Sequence, residues 1–229
     1  RSFSYCSSLT TVYFPICSLI DSSAFYNTAI TAIDCSMCES IYTSAFANCR
    51  SLSTISFPLC KLIGSNAFYG CSALTSADFP EVLSIGSNAF INCYSLKTLN
   101  APKCISVYSQ AFYGCSTLET VSLPAVYSIG SYGFDRCISL NTVILGQSLT
   151  SNPNIGAGAF RSCYNLLSLY ILESSRRYTL NAAFSSTPIF GYTASTGGVY
   201  GSIFVHSLMY SDYIRSRSEE RRVGKECRS

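Results

Sequence analysis

Apolar residues recur along this chain with a period of about 22 residues. A Phe that usually follows Ala marks each copy: Phe3, Phe25, Phe46, Phe68, Phe90, Phe112, Phe134 and Phe160. Consecutive marks are separated by 22, 21, 22, 22, 22, 22 and 26 residues. Further apolar positions recur at fixed offsets, as Cys71, Leu74, Ala77 and Phe79 illustrate for the copy that begins at Ile63. A fixed period in the low twenties is typical of a leucine-rich-repeat solenoid, whose core is one long stack.

Each copy divides into three short elements. The Ser-Asn-Ala-Phe segment predicts one turn of α- or 3₁₀-helix, which Ser65 or Asn66 would cap. The run from Leu74 to Pro80 alternates with period two and predicts a strand that ends at the Pro. A second apolar column predicts another short strand at Ile20, Ile41, Ile63, Ile85, Val107, Ile129 and Ile155. We therefore expect a repeat solenoid that is β-rich with short helical or 3₁₀ turns.

Two departures from the period indicate where the array changes. Four extra residues between Phe134 and Phe160 predict a surface loop at Ser148 to Asn154. Beyond Ile171 the rhythm changes, and a solenoid needs an atypical terminal unit to cover its last coil. The predicted organisation is a solenoid over residues 1–183, a capping unit over 184–214 and a disordered tail over 215–229. Because a copy is already under way at the first residues, we expect an N-terminally truncated fragment.

The net charge of +3 comes from the tail and not from the array. From Arg1 to Asp212 the chain has nine basic and nine acidic residues. The run RSEERRVGKECRS, residues 217–229, matches the translation of a short-read sequencing adapter, and we interpret it as an artefact rather than as a nucleic-acid- or lipid-binding arm. The array is then neutral, and nucleic acid is not an expected partner. No stretch reaches the roughly 18 apolar residues of a membrane-spanning helix.

The 13 cysteines follow the repeat. One column lies three residues after the marker Phe and is predicted to be core: Cys49, Cys71, Cys93, Cys115, Cys137 and Cys163. Because free Cys packs as a small apolar residue, we expect a ladder of reduced thiols. Neighbouring coils about 4.8 Å apart do not exclude occasional bridges. Cys35 and Cys38 form a CxxC without a second pair or a nearby His, which is weak support for a metal or redox site, and no cofactor is expected.

Residues suited to catalysis are sparse. His206 is the only His and lies in the predicted capping unit, so a Ser-His-Asp or Cys-His group would depend on it alone. Asp34 and Asp78 share an outward strand column, but two coils separate them, which is about 10 Å. An inverting glycosidase pair is nearly that far apart. Isolated Asp residues on a Ser- and Thr-rich face more often serve solubility, and the sequence predicts a protein that is not an enzyme.

The outward strand positions form the candidate binding face. In each strand the residues before and after the central apolar position should point to solvent. The candidates are Tyr13, Asp34, Thr54, Ser56, Ser76, Asp78, Thr98, Asn100, Thr120, Ser122, Ile144 and Tyr170. The position before the centre is mostly Thr or Ser, whereas the position after it varies, as a recognition column does; a plain solvated surface is the alternative. Tyr26, Tyr69 and Tyr113 form another partial column, which either anchors a partner or covers the core.

The common thread IGxxAFxxCxxLxxVxxP resembles the BspA-like, or Treponema pallidum-type, leucine-rich repeats of bacterial surface proteins. The resemblance extends from about Arg1 to Asp212, and the family usually has Pro where this chain has His206. It implies a secreted or cell-surface protein that binds host or bacterial surface proteins, or glycans. We therefore expect an adhesin-like binding module. A passive stalk in a larger surface protein is the alternative, and the oligomeric state is open.

Overall fold

The computed structural model describes residues 2–146, 154–171 and 202–205, which form a stack of parallel β-coils. Each coil contributes one strand to a front face and then a shorter strand to a back sheet. The front strands are β1 (Thr11–Tyr13), β3 (Ala32–Asp34), β5 (Thr54–Ser56), β7 (Ser76–Asp78), β9 (Thr98–Asn100), β11 (Thr120–Leu123), β13 (Thr142–Leu145), β15 (Ser168–Ile171) and β16 (Ser202–Val205). The back strands are β2 (Leu19–Ile20), β4 (Ser40–Ile41), β6 (Leu62–Ile63), β8 (Ser84–Ile85), β10 (Ser106–Val107), β12 (Ser128–Ile129) and β14 (Asn154–Ile155).

The front face consists of three separate sheets, which we call panels. The N-terminal panel pairs β1 with β3, the middle panel has the order β5-β7-β9, and the C-terminal panel has the order β11-β13-β15-β16. Pairing residues are one repeat apart, so that Ile55 lies beside Ala77 and Ala77 beside Leu99. The back strands, by contrast, form one continuous seven-stranded sheet. The predicted β-rich solenoid is confirmed.

The segment from the back sheet to the Cys column forms tight turns, so the predicted helical turn is wrong; none of the described residues is helical. The N–H of Ala67 donates to the carbonyl three residues earlier (3.3 Å), and Tyr69 N–H donates to Asn66 (3.1 Å). Asn66 has a φ of 57° and Gly70 a φ of 71°. Left-handed residues at this spacing interrupt a right-handed helix. Neither Ser65 nor Asn66 therefore caps a helix, and Asn66 instead provides a conformation that Asn tolerates. We call this region the turn side.

The glycines that follow the back strands allow successive coils to approach closely. A Cβ on Gly64 would lie 2.7 Å from the carbonyl carbon of Tyr42, and one on Gly86 would lie 2.6 Å from that of Gly64. Neither glycine has a positive φ. Glycine is therefore used here for backbone contact between coils and not for an unusual backbone angle.

The marker Phe residues form a continuous stack through the core. Their rings are nearly parallel, and successive centroids lie 4.9 to 5.4 Å apart. The predicted core members are all buried: Phe25, Phe46, Phe68, Phe90, Phe112, Phe134 and Phe160. A second inner column lies behind the front face and varies in size: Phe14, Cys35, Phe57, Phe79, Ala101, Leu123 and Leu145.

The Cys column on the turn side is buried and makes one repeated hydrogen bond. Each thiol donates to the carbonyl of the marker Phe in the preceding coil at 3.0 to 3.3 Å, in Cys49, Cys71, Cys93, Cys115, Cys137 and Cys163. Thr28 holds this place in one copy, and its hydroxyl donates instead to the marker of its own coil, at the Phe25 carbonyl (3.0 Å). The position thus holds a small side chain that donates to a marker carbonyl. Every cysteine that the structure describes is a free thiol.

Several predictions lie outside the described residues. These are the loop at Ser148 to Asn154 apart from its last residue, which begins β14, the capping unit apart from β16, His206, and the tail over 215–229. β16 pairs with β15 as the last strand of the C-terminal panel. The domain boundaries stay predictions. Within the described ranges no helix is long and apolar enough to cross a membrane.

Candidate functional site

The candidate residues all lie on the front face, on either side of a central residue that points into the core. In β5, Thr54 and Ser56 are exposed while Ile55 is buried, and β11 repeats this arrangement. The residues before the centre stack one above another, so that Ser76 lies between Thr54 and Thr98 in the middle panel. Thr120 continues this column and pairs with Thr142. The result is a row of hydroxyl groups along the middle and C-terminal panels, whereas the N-terminal panel pairs Thr11 with Ala32.

The column after the centre is most highly ordered in the middle panel. Both carboxylate oxygens of Asp78 accept a hydrogen bond: Oδ2 from the Ser56 hydroxyl at 2.8 Å, and Oδ1 from the Asn100 amide at 2.6 Å. These bonds join three successive coils. Because the carboxylate is fixed by its neighbours and is only partly exposed, Asp78 presents a preset acceptor rather than a freely rotating charge.

The other two panels present different chemistry in the same column. In the N-terminal panel Tyr13, which is 72% exposed, lies beside Asp34. In the C-terminal panel Ser122 pairs with Ile144, Ile144 with Tyr170, and Tyr170 with Phe204. Ile144 and Tyr170 are half-buried. In this column the front face thus has an aromatic and acidic panel, a hydrogen-bonded polar panel and a panel in which Ser122 is followed by Ile144 and Tyr170.

The tyrosine column lies on the turn side and packs against its neighbours. Asn48 donates to the Tyr26 hydroxyl at 3.3 Å, and the guanidinium of Arg136 lies 5.5 Å from the ring centre of Tyr113. Tyr26, Tyr69 and Tyr113 are all half-buried. These contacts favour the interpretation that the column covers the core.

A buried ion pair on the turn side was not predicted. Asp135 is 0% exposed, and its Oδ2 accepts from both Nε and Nη2 of Arg161. The Arg161 guanidinium also lies 4.6 Å above the ring of Tyr132, and a Cβ on Gly158 would meet that ring at 2.7 Å. Gly158 therefore leaves the space in which this cluster packs. The signal in the sequence is an Asp and an Arg at the same offset from consecutive marker Phe residues.

Opposite charges at equivalent positions of consecutive repeats also mark two exposed ion pairs. Lys61 lies 2.9 Å from Glu39, and Lys103 lies 2.7 Å from Glu81. Each pair consists of opposite charges one repeat apart, which is the distance between adjacent coils. Exposed pairs contribute little to stability, so these residues explain the neutral surface of the array rather than its fold.

The thiols lie where reactivity is suppressed. Burial raises the pKa of Cys35 to about 12 and that of Cys38 to about 11. Burial likewise raises the pKa of Cys71, Cys93 and Cys115. A thiol with a raised pKa holds little of the thiolate that attacks disulfides or binds metals. Among the described side chains no group of three or more His, Cys, Asp and Glu is arranged to hold a metal ion.

Parallel coils of about 22 residues, with a two-sided β-scaffold and a repeated inner column, define a leucine-rich-repeat solenoid. The model of the BspA type leucine-rich repeat region matches six copies, over residues 1–97 and 83–196. The chain belongs to this family. Leucine-rich-repeat arrays of this kind act as protein-interaction modules. No match was found among curated proteins.

Several solved structures are similar. A leucine-rich repeat protein from Eubacterium ventriosum ATCC 27560 is 22% identical, with a TM-score of 0.54 over 83% of this chain and 47% of that one. The T. pallidum leucine-rich repeat protein is 27% identical, with a TM-score of 0.43 over 58% of each chain. The pneumococcal vaccine antigen PcpA is 17% identical, with a TM-score of 0.46 over 91% of this chain and 65% of that one. This chain therefore spans less than two thirds of each of these structures.

Proposed function

We propose that this chain is a non-catalytic, adhesin-like module of a bacterial surface protein, and that its front face binds a protein on a host cell or on a neighbouring bacterium. The observation that supports this is the contrast between inward and outward strand positions. The central position is apolar in every described front strand, whereas the next outward position ranges from Tyr13 through Asp78 to Ile144. Solenoids offer extended surfaces to partners, and this column is where one array can differ from another.

The order within the face favours binding. Asp78 is held by Ser56 and Asn100, so less side-chain entropy is lost when a partner docks there. Tyr13 and Tyr170 at the two ends supply large, stiff side chains of the type that is enriched at binding hot spots. The candidate residues include two carboxylates, Asp34 and Asp78, and no basic residue. A partner with basic side chains therefore matches this face best.

The experiment compares binding of front-face and back-sheet variants to cultured epithelial cells by flow cytometry. Asp78→Lys and Tyr170→Ala are expected to lower the bound fluorescence. Ser106→Lys, which puts the same charge on the partly exposed outer side of the back sheet, is expected to bind as the unchanged protein does. Trypsin treatment of the cells beforehand is expected to abolish binding, because trypsin removes a protein partner and leaves the glycans of glycolipids in place.

Each outcome separates the proposal from its alternatives. If both front-face variants bind normally while turn-side variants such as Tyr69→Ala do not, the binding face is wrong. If the unchanged protein binds neither these epithelial cells nor bacterial cells tested in the same way, the chain acts as a passive spacer. Circular dichroism of every variant is the control, since a loss of binding counts only when the β-signal is retained.

A further inference from the structure

The front face lacks backbone hydrogen bonds at two junctions, between β3 and β5 and between β9 and β11. In the N-terminal and middle panels the residue after β1, β5 and β7 donates to the next coil, as Phe57 N–H does to the Asp78 carbonyl at 2.9 Å. The equivalent N–H groups of Cys35 and Ala101 have no backbone acceptor among the residues described. Both residues are only 1% exposed. Buried N–H groups without a partner are rare, because each costs the free energy of its lost hydration.

The residues before these strands lack the same bond. In the middle panel the N–H of Thr75 donates to the Ser53 carbonyl at 2.8 Å, and that of Lys97 donates to Thr75 at 2.9 Å. At the two junctions the corresponding donors are Ser53 and Glu119, and neither donates to a backbone carbonyl in the described part of the chain. The ladder is therefore open at both ends of the strand at each junction.

The inner column behind the front face accounts for the position of both junctions. Each follows the coil in which a small residue, Cys35 or Ala101, replaces the Phe or Leu of the other coils. The central residues of the same two coils, Ile33 and Leu99, are only partly buried, whereas those of the other front strands with described side chains are buried. Where the inner-column side chain is small, the coil does not hold its front strand against the front strand of the next coil.

The other sides of these coils stay joined. Across the first junction Lys61 N–H donates to the Glu39 carbonyl at 2.9 Å on the back sheet. Across the second junction Tyr127 N–H donates to Ile105 at 2.8 Å. The marker column is intact at both junctions, since Phe46 N–H donates to the Ala67 carbonyl at 2.8 Å and Phe112 N–H donates to the Gly133 carbonyl at 2.7 Å across the turn side. Each junction is thus attached at the back and at the turn side and open at the front.

We infer that the solenoid has two built-in hinges, at the β3/β5 and β9/β11 junctions, about which the three panels tilt while the back sheet stays intact. The hinges let the front face change its curvature without breaking a hydrogen bond of the ladder. The rigid units are the panels, each of which keeps its own outward column. The property belongs to the free chain and does not depend on the proposed partner.

The first test measures distances across both junctions by pulsed electron paramagnetic resonance on the full chain. Spin labels are placed with encoded non-natural residues at Asp34 and Ser122 on the front face. The matched control places them at Ser40 and Ser128 on the back sheet, which are likewise four coil-to-coil steps apart, about 19 Å. The front pair is expected to give the broader distance distribution. A front distribution no broader than the back one overturns the proposal.

The second test fills the column. Ala101→Leu, which introduces the residue found at Leu123 and Leu145, is expected to narrow the front distribution across the second junction and to slow amide exchange of Glu119 by about tenfold, the value of one regained hydrogen bond. Leu123→Ala is the reverse variant and is expected to open a new junction between β11 and β13. If amide exchange is unchanged in both variants, the size of the inner-column side chain is not the cause of the junctions. If a variant fails to fold, the distance distributions of the first test, which leave the inner column unchanged, still decide whether the hinges exist.

Discussion

The front face and the back sheet are built by the same coils, yet only the back sheet is continuous. Its strands have two residues each and pair at every step from β2 to β14. The front strands have three or four residues and nevertheless separate into three panels. The inward residue of each back strand is Ile or Val throughout, whereas the inner column behind the front face ranges in size from Ala to Phe. Uniform volume in the core, and not strand length, therefore keeps the coils in register.

Ring spacing in the core agrees with this difference. Phe57 and Phe79, behind the front face, have centroids 5.7 Å apart. Across the same coils the marker rings Phe46, Phe68 and Phe90 are 5.2 and 5.0 Å apart. Neighbouring coils are thus more widely spaced toward the front. The turn side and back sheet supply the continuous support, and the front face is the side that is free to vary.

The largest expected effect is a loss of stability in alkaline solution. The turn side and the back-sheet side, where the coils are joined without a gap, contain most of the buried thiols. Burial raises the pKa of Cys60 and Cys104 from 9.0 to about 12 and also raises the pKa of the turn-side column. Below pH 9 both states keep their thiol protons. Above it the unfolded chain loses protons that the folded chain retains, so stability falls by roughly 1.4 kcal/mol per thiol and pH unit. Urea midpoints from pH 7 to 10 measure this.

A single-thiol variant provides the control for the alkaline effect. Cys93→Ala removes one buried group and is expected to lessen the dependence of the midpoint on pH, whatever it does to the midpoint at pH 7. Iodoacetamide labelling gives a second measurement, in which exposed Cys6 reacts and the buried column does not until the protein unfolds. A midpoint that is constant to pH 10 would show that the thiols do not lie in the core.

The second effect compares the two inner columns directly. Phe90→Ala removes a ring stacked at 5.0 Å on both Phe68 and Phe112, and it should cost about 3 to 5 kcal/mol. Phe79→Ala is expected near the lower end of that range, because its ring lies 5.7 Å from that of Phe57, farther than the marker rings lie from one another, so fewer close contacts are lost. Urea denaturation of both variants measures the difference. A larger cost for Phe79→Ala would contradict the view that the front is the looser side.

Much of the fold follows from the sequence because the same pattern of apolar and polar positions recurs in every copy of the repeat. The marker Phe, the Cys column and the outward strand positions could be read from seven copies at once, and a single unusual residue did not obscure them. The helical turn was wrong because Ser65 and Asn66 look like helix caps in the sequence, whereas Asn66 and Gly70 both have left-handed φ angles, which interrupt a helix. The panel junctions were missed because they depend on how Cys35 and Ala101 fill three-dimensional space.

The third effect concerns charge on the turn side. Arg161→Ala removes the partner of Asp135, which is fully buried, and leaves a carboxylate without compensation. Lys103→Ala removes one member of an exposed pair with Glu81. Arg161→Ala is expected to lower the thermal midpoint clearly more than Lys103→Ala does, because an unpaired charge costs more in the interior than at the surface. Equal midpoints would mean that the Asp135 pair is accessible to water and does not lock the turn side.

The smallest effect is expected on the front face itself. Asp78→Ala leaves Ser56 and Asn100 without their shared acceptor, but both are exposed and water replaces it, so the change should cost at most about 1 kcal/mol. Ser128→Ala, which removes the 3.2 Å bond to Ser106 on the back sheet, is the matched control. Urea midpoints at pH 7 measure both. A much larger loss of stability for Asp78→Ala would make the polar row part of the scaffold. A column that the scaffold requires could not vary from one array to another to suit different partners.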